Sequence, residues 1–373
     1  MSQILTFLGK GGTGRSTLAV AAARAAAQQG RRVLLVGHQA GPGLEILLGG
    51  IPLSGEPLTI AANLSVVQLR TTQLLEQNWT AAKELEAQYV RTPFFREIYG
   101  QELGVLPGMD QALALEALRR YDASGQYDCI LYDGPGDLTT LRAFGIPEVA
   151  SWYWRRASKA FLGSDLAKTL RPFAEPLLRS VSNVEFSSLE DLPDRMGGMT
   201  NILEQGRQAI ADPRRVLAHL VTTRDPIAIQ TARYLWGSAQ MVGLTVGGVW
   251  VTPIGSAEVA AADFAPLPVR VLPIRQGSGG DSGMEWSGLE AAVGSVFTLP
   301  DVPPPLAIDE GSRTVKLFIP GFSKTQIELS QSGPELTITA GDQRRNLFLP
   351  PSLAGRQVTG AKFQEPFLLI SFG

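Results

Sequence analysis

Apolar residues along this chain cluster in short runs rather than in strict alternation. Ile4–Leu8, Val33–Val36, Ser65–Leu69, Tyr127–Tyr132, Val216–Val221 and Val246–Val251 are each strand-length. Continuous apolar runs of that length predict strands covered on both faces, as in parallel sheets. Between them, the Ala-rich stretch Leu18–Ala27 and the stretch Ile227–Met241 predict helices. Strands alternating with helices predict an α/β fold with a mainly parallel sheet and right-handed crossovers. Val269–Pro273 predicts one more short strand, 276–283 a glycine-rich loop, and Trp286–Val296 a helix.

The pattern departs from this rhythm twice. About 70–120 and 149–211 read as helical insertions. In the second, Trp152, Trp154, Phe161, Leu166, Leu170 and Phe173 include several pairs at helical spacing, and Met196 and Met199 follow. Such a stripe reads either as a packed helical layer or as a groove for an apolar helix of a client protein. After residue 298 the period changes. Leu299–Pro305 contains four prolines, so 299–311 reads as a linker. Beyond it, Arg313–Ile319, Ile327–Ser330, Glu335–Thr339, Arg345–Leu349 and Phe367–Phe372 predict short strands of a small all-β sandwich over 312–373. Residues 1–298 form the first domain in this reading.

Composition narrows the picture. Apolar residues make up 44% and charged residues 18%, which describes a folded chain. The formal net charge is −2, so nothing points to nucleic acid. No apolar run nears about 18 residues, so no stable membrane insertion is expected. The chain opens straight into a strand-like run, so no signal peptide is expected and the expected location is cytoplasmic. With one cysteine, Cys129, there is no intramolecular disulfide and no cysteine-pair metal site within one chain.

The densest chemistry lies at Gly9-Lys10-Gly11-Gly12-Thr13-Gly14-Arg15-Ser16-Thr17, between the first strand and the first helix. Strand, glycine loop and helix N-terminus together make a phosphate cradle, because backbone N–H groups converge there with the positive end of the helix dipole. Gly11 to Thr17 are the candidate nucleotide ligands. Ser16 is placed to ligate Mg²⁺. Arg15 stands where such loops carry a lysine, and the two are not interchangeable. Downstream, Asp133 closes a strand before Gly134-Pro135-Gly136-Asp137-Leu138-Thr139-Thr140-Leu141-Arg142. A carboxylate there reaches the Mg²⁺ shell, although an ordinary Asp-Gly turn has the same spelling.

With Lys10 ahead of it, the loop resembles the deviant Walker A of dimeric ATPases. Asp133, Pro135, Thr140, Leu141 and Arg142 match the switch of the arsenite-pump and tail-anchored-protein targeting ATPases. Leu317–Leu329 resembles a strand of small heat-shock proteins, and Ala361–Leu368 their closing motif. Jointly the chain is similar to the branch of that family with a C-terminal α-crystallin domain and without zinc cysteines. The resemblance implies a P-loop NTPase fold, ATP or ADP with Mg²⁺, no zinc, and a homodimer in which Lys10 reaches the partner's phosphates. It also implies a role for Thr252, where the family has an adenine-contacting asparagine. His38 stands where the family has a water-positioning aspartate, and its alternative is a plain loop residue. Lys10, His38 and Asp133 are thus the catalytic candidates.

Three functions follow as expectations. One is a nucleotide-gated homodimer that chaperones or targets apolar helices of membrane proteins. Another is a nucleotide-bound scaffold with little hydrolysis, favoured by Arg15 and His38. A partition- or Min-type sorter comes third, because the sequence has no basic patch or basic amphipathic tail.

Overall fold

Eight strands form the larger sheet. They are β1 (Gln3–Leu8), β2 (Val33–Gly37), β3 (Leu58–Ala61), β4 (Leu64–Gln68), β5 (Cys129–Asp133), β6 (Val216–Arg224), β7 (Val246–Gly255) and β8 (Val269–Val271). Their order is β3-β4-β2-β5-β1-β6-β7-β8. Every pairing is parallel except β3 with β4, a hairpin at one edge. The computed structural model describes residues 1–38, 41–77, 108–161, 192–274 and 286–373, with backbone alone for 154–161 and 192–199.

β2 and β5 are buried at every position, as mainly apolar runs require when helices cover both faces. One core layer packs α1 (Arg15–Gln28), whose alanines lie close against the sheet, and reaches Trp286 and Leu289. The opposite layer packs α3 (Met109–Ala123), α4 (Leu138–Phe161) and α6 (Pro226–Met241). Asp225 caps α6, its carboxylate accepting the Ile227 N–H at 2.7 Å, with Pro226 in the first turn. A short α2 (Gly43–Leu47) follows β2, and α5 (Leu192–Ala211) precedes β6.

Several sequence readings change. β3, a mostly exposed four-residue edge strand, was not expected. The helix expected over 286–296 is a short α7 (Ser287–Ala292) followed by a 3-10 turn at Gly294–Phe297. Of the two insertions, residues 71–77, α3, α4 and α5 are helical. Leu166, Leu170 and Phe173 lie outside the described residues, as do the side chains of Trp154, Phe161, Met196 and Met199 and the loop read over 276–283.

The C-terminal part is a two-sheet β sandwich. β9 (Leu306–Asp309), β10 (Thr314–Phe318), β14 (Val358–Gln364) and β15 (Phe367–Phe372) form one sheet, ordered β14-β15-β10-β9. β11 (Ile327–Ser332), β12 (Glu335–Ala340) and β13 (Gln343–Phe348) form the other. All pairings are antiparallel. β9 falls inside the stretch read as linker, because its hydrogen bonds to β10 draw the chain into the sheet.

The sandwich packs onto the larger domain. Phe318 joins the core beneath α6, stacked edge-on with Trp236 at 5.6 Å, while Met241 joins the core of the sandwich. Phe322 packs edge-on against Tyr234 at 5.4 Å. Gly237 lies so close to the Pro320 carbonyl that a Cβ would collide with it. The helix that leaves the switch, α4, is tied to the sandwich along its length. Arg142 pairs with Asp342 at 2.8 Å, Glu148 with Arg345 at 3.4 Å, and Trp152 donates its indole N–H to Glu335 at 3.2 Å.

Candidate functional site

Sequential connections from β1 run first to one side of the sheet and later to the other, which leaves a crevice at the C-terminal ends of the central strands. The glycine loop lies there. Gly14 is the N-cap of α1 with φ 94°, a left-handed conformation natural to glycine. Thr13 is buried and its hydroxyl donates to the Lys10 carbonyl at 2.8 Å, closing the loop on itself. Lys10, Gly11 and Gly12 are exposed, and Ser16 and Thr17 are half-buried in the first turn of the helix.

β5 ends at Asp133, one strand over from β1. Its carboxylate is buried, and Oδ1 has no hydrogen-bond partner. Burial raises its pKa to about 6, against the opposing pull of the Ser16 hydrogen bond and the Arg15 charge. An unpaired buried carboxylate oxygen beside a half-exposed serine hydroxyl is a donor set with an open side. Hard oxygen ligands of this kind suit Mg²⁺, which binds proteins through one or two carboxylates and keeps the rest of its shell for water and phosphate. The residues present therefore fit the metal.

Arg15 is buried and turns toward the segment after β5, where it donates to the Pro135 carbonyl. Burial lowers the pKa of its guanidinium, while Asp133 and Asp137 act to raise it. Gly136 N–H donates to the buried Thr140 hydroxyl at 2.8 Å, and Thr139 N–H to Asp137 at 2.8 Å, so the switch loop is capped onto α4 from within. Gly9 N–H donates to the Gly136 carbonyl at 2.8 Å, which ties the two loops together.

His38 follows β2, and its N–H donates to the Asp133 carbonyl at 3.0 Å. Its Nδ1 lies 2.7 Å from the Tyr132 hydroxyl. Burial lowers its pKa, opposed by Asp110, which favours a neutral ring at neutral pH. A cavity of about 810 Å³ opens here, walled by Arg15, His38, Gln68, Arg70, Asp110 and Pro135.

The structure thus gathers Arg15, Ser16, His38 and Asp133 around one crevice. Lys10 stands at its exposed rim. The Thr252 hydroxyl donates to the Thr13 carbonyl at 2.7 Å and sits 3.0 Å from where a Gly14 Cβ would be. It braces the back of the loop. Tyr132, Gln68, Arg70 and Asp110 were not singled out in the sequence. Tyr132 had a legible signal, as an aromatic hydroxyl one residue before the strand-ending aspartate. The other three come from separate elements, and no local pattern joins them.

Residues 2–258 match the anion-transporting ATPase family. The chain belongs to that family. Residues 310–372 match the HSP20-like domain found in ArsA, the same region that forms the β sandwich. A Chlorobaculum tepidum protein provisionally described as an arsenical pump-driving ATPase is 23% identical, over 99% of this chain and 96% of its own length. An Aquifex aeolicus protein with a like description is 21% identical, covering 99% of both chains. Membership implies use of a nucleotide and Mg²⁺. Among the described residues no group of three or more His, Cys, Asp or Glu side chains is poised to hold a metal ion, and no helix is long and apolar enough to cross a membrane.

Proposed function

We propose that this anion-transporting ATPase relative is a nucleotide-gated homodimer that shields apolar helices of membrane proteins. Asp133 carries the nucleotide part of the reading: a buried carboxylate with an unpaired oxygen, beside Ser16 and the loop, is costly unless a cation completes it. Bound Mg²⁺ neutralises phosphate charge. Around it, Gly11 to Thr17 bind phosphate, Ser16 and Asp133 hold the metal, and Arg15 links the loop to the switch. Lys10, exposed at the rim, is free to reach the phosphates of a second copy.

The client part rests on the apolar stripe from Trp152 to Phe173 with Met196 and Met199. Trp152 itself is half-buried and hydrogen-bonded to the sandwich, which leaves the residues beyond it as the candidates for a client. An arsenical substrate, named for the relatives, suits this chain poorly. Arsenic(III) is a soft centre that prefers several thiolates, and Cys129 is one buried thiol whose pKa burial raises to about 11. A nucleotide-bound scaffold with little turnover is the second reading, favoured by Arg15 being engaged at the Pro135 carbonyl.

Calorimetry with Mg²⁺-ATP tests the site. Binding is expected in the wild type and is weakened by Gly14→Val, which forces a side chain toward the Thr252 hydroxyl, and by Ser16→Ala. Absence of heat, or variants that bind as the wild type does, would refute it. A photo-crosslinking residue at 166 or 170 should capture a synthetic apolar helix in a nucleotide-dependent yield. Capture no better than at the exposed Lys324 removes the client reading.

A further inference from the structure

His38 and Tyr132 form a built pair, and the family resemblance gives neither residue its present role. Tyr132, the penultimate residue of β5 before the switch, is 2% exposed. Its ring is held edge-on by Phe144, with centroids 6.2 Å apart. Gly134 makes room for the phenol, since a Cβ there would lie 2.6 to 2.8 Å from the ring and hydroxyl. The hydroxyl points at His38 Nδ1, 2.7 Å away.

The direction of that hydrogen bond fixes the chemistry of His38. A buried tyrosine hydroxyl needs an acceptor for its proton. Among the described residues, Nδ1 of His38 is the acceptor within reach. If Nδ1 accepts, a neutral imidazole carries its proton on Nε2. The ring then presents an N–H donor, not a lone pair. His38 lines the same cavity as Arg15 and Arg70, with Glu45 and Asp110 as the carboxylates on its wall, so beside Arg15 a ligand meets a cation and a neutral donor. Such a pair suits an anionic oxygen and is ill-suited to removing a proton from water.

We propose that His38 binds the terminal phosphate of the nucleotide as a neutral hydrogen-bond donor through Nε2–H, and that the buried Tyr132 hydroxyl is the positioning residue that fixes this tautomer. This rests on the reading of the loop as a nucleotide site. It replaces water positioning by the family's carboxylate with electrostatic recognition of the phosphate itself. The chain therefore senses whether a third phosphate is present more directly than it promotes attack on it.

The protein contains two histidines, and the other supplies an internal standard. His219 accepts the Trp250 indole N–H on Nδ1 at 3.2 Å, and its Nε2 faces the Val296 carbonyl at 2.7 Å. An indole only donates and a carbonyl only accepts, so His219 is held in the Nε2–H form. Long-range proton–nitrogen correlation spectra of the full, nitrogen-15-labelled chain should show the same Nε2–H pattern for both rings, with His38→Gln assigning the signals. Tyr132→Phe should return His38 to a mixture of tautomers and leave His219 unchanged. Mg²⁺-ADP with beryllium fluoride should shift the His38 Nε2–H signal, whereas Mg²⁺-ADP alone should not. His38→Ala should weaken the beryllium fluoride complex roughly 10- to 100-fold, the range for a hydrogen bond to a charged group, with little change for ADP.

A His38 ring protonated on Nδ1 overturns the proposal. So does an Nε2–H signal indifferent to beryllium fluoride in a sample whose calorimetry shows the complex formed; the nucleotide reading then stands and the His38 assignment falls. Absence of any nucleotide heat removes both.

Discussion

Arg345 of strand β13 lies 3.4 Å from Glu148 of α4, the helix that starts in the switch loop, and also donates to the Gln240 carbonyl at the end of α6 at 3.2 Å. Arg345 is 7% exposed at its side chain and Glu148 18%. One guanidinium therefore joins the sandwich to two helices of the ATPase domain. The neighbouring Arg142–Asp342 pair is 63% exposed on both sides and contributes little by comparison. Removing one partner of a buried pair strands the other, at about 3 kcal/mol. Arg345→Ala should cost roughly that in urea unfolding. A paired Glu148→Met, Arg345→Met variant should recover most of it, since neither charge is then left alone. A loss under about 0.5 kcal/mol in the single variant would show that water reaches the pair.

Two buried groups give stability opposite dependences on pH. Asp133 has a folded pKa near 6 against an ordinary 3.8, so the folded state binds more protons between those values and stability falls as pH rises through that window. For His219, burial lowers the pKa from 6.5 to about 4, so the folded state binds fewer protons there and stability is lost as pH falls through it. Each effect is about 3 kcal/mol. Without Mg²⁺, Asp133→Asn should raise stability at pH 7 by about that much, and the gain should shrink toward zero near pH 4. Thermal melts at both pH values check this; an equal gain at both would mean that Asp133 is not held with a raised pKa.

Hydrolysis should be slow. Arg15 is engaged at the Pro135 carbonyl and His38 replaces a carboxylate, and loss of one such group costs about 100-fold. A phosphate-release assay should give a turnover far below the enzyme median of about 10 per second. Arg15→Lys combined with His38→Asp should raise it. A wild-type rate at that median would discard the slow-ATPase reading.

Nucleotide should favour a dimer through Lys10. Light scattering with Mg²⁺-ADP and beryllium fluoride should report twice the monomer mass, and Lys10→Ala should return the monomer. A monomer in every nucleotide state would leave the exposed Lys10 without that role.

Local sequence determined much of this protein. The mainly apolar runs of β1, β2, β5 and β6, buried at nearly every position, specify a sheet covered on both faces, because consecutive apolar residues leave no polar face to turn to water. The glycine loop between β1 and α1, and Asp133 at a strand end, are local patterns whose chemistry follows from spacing. The period change after 298 announced a second, all-β part. The family and its α-crystallin-like extension were legible from the same motifs. Tertiary structure decided the rest. Whether Arg15 turns to the crevice or to Pro135, whether Thr252 faces a ligand or braces Thr13, and which atom of His38 meets Tyr132 depend on elements from distant parts of the chain packing side by side. β9 joined a sheet despite its proline-rich approach, since pairing with β10 outweighs local propensity. The tie between sandwich and switch helix, Arg345 to Glu148, spans 197 residues of sequence. No local pattern encodes that contact, because it exists only once both domains have folded and docked.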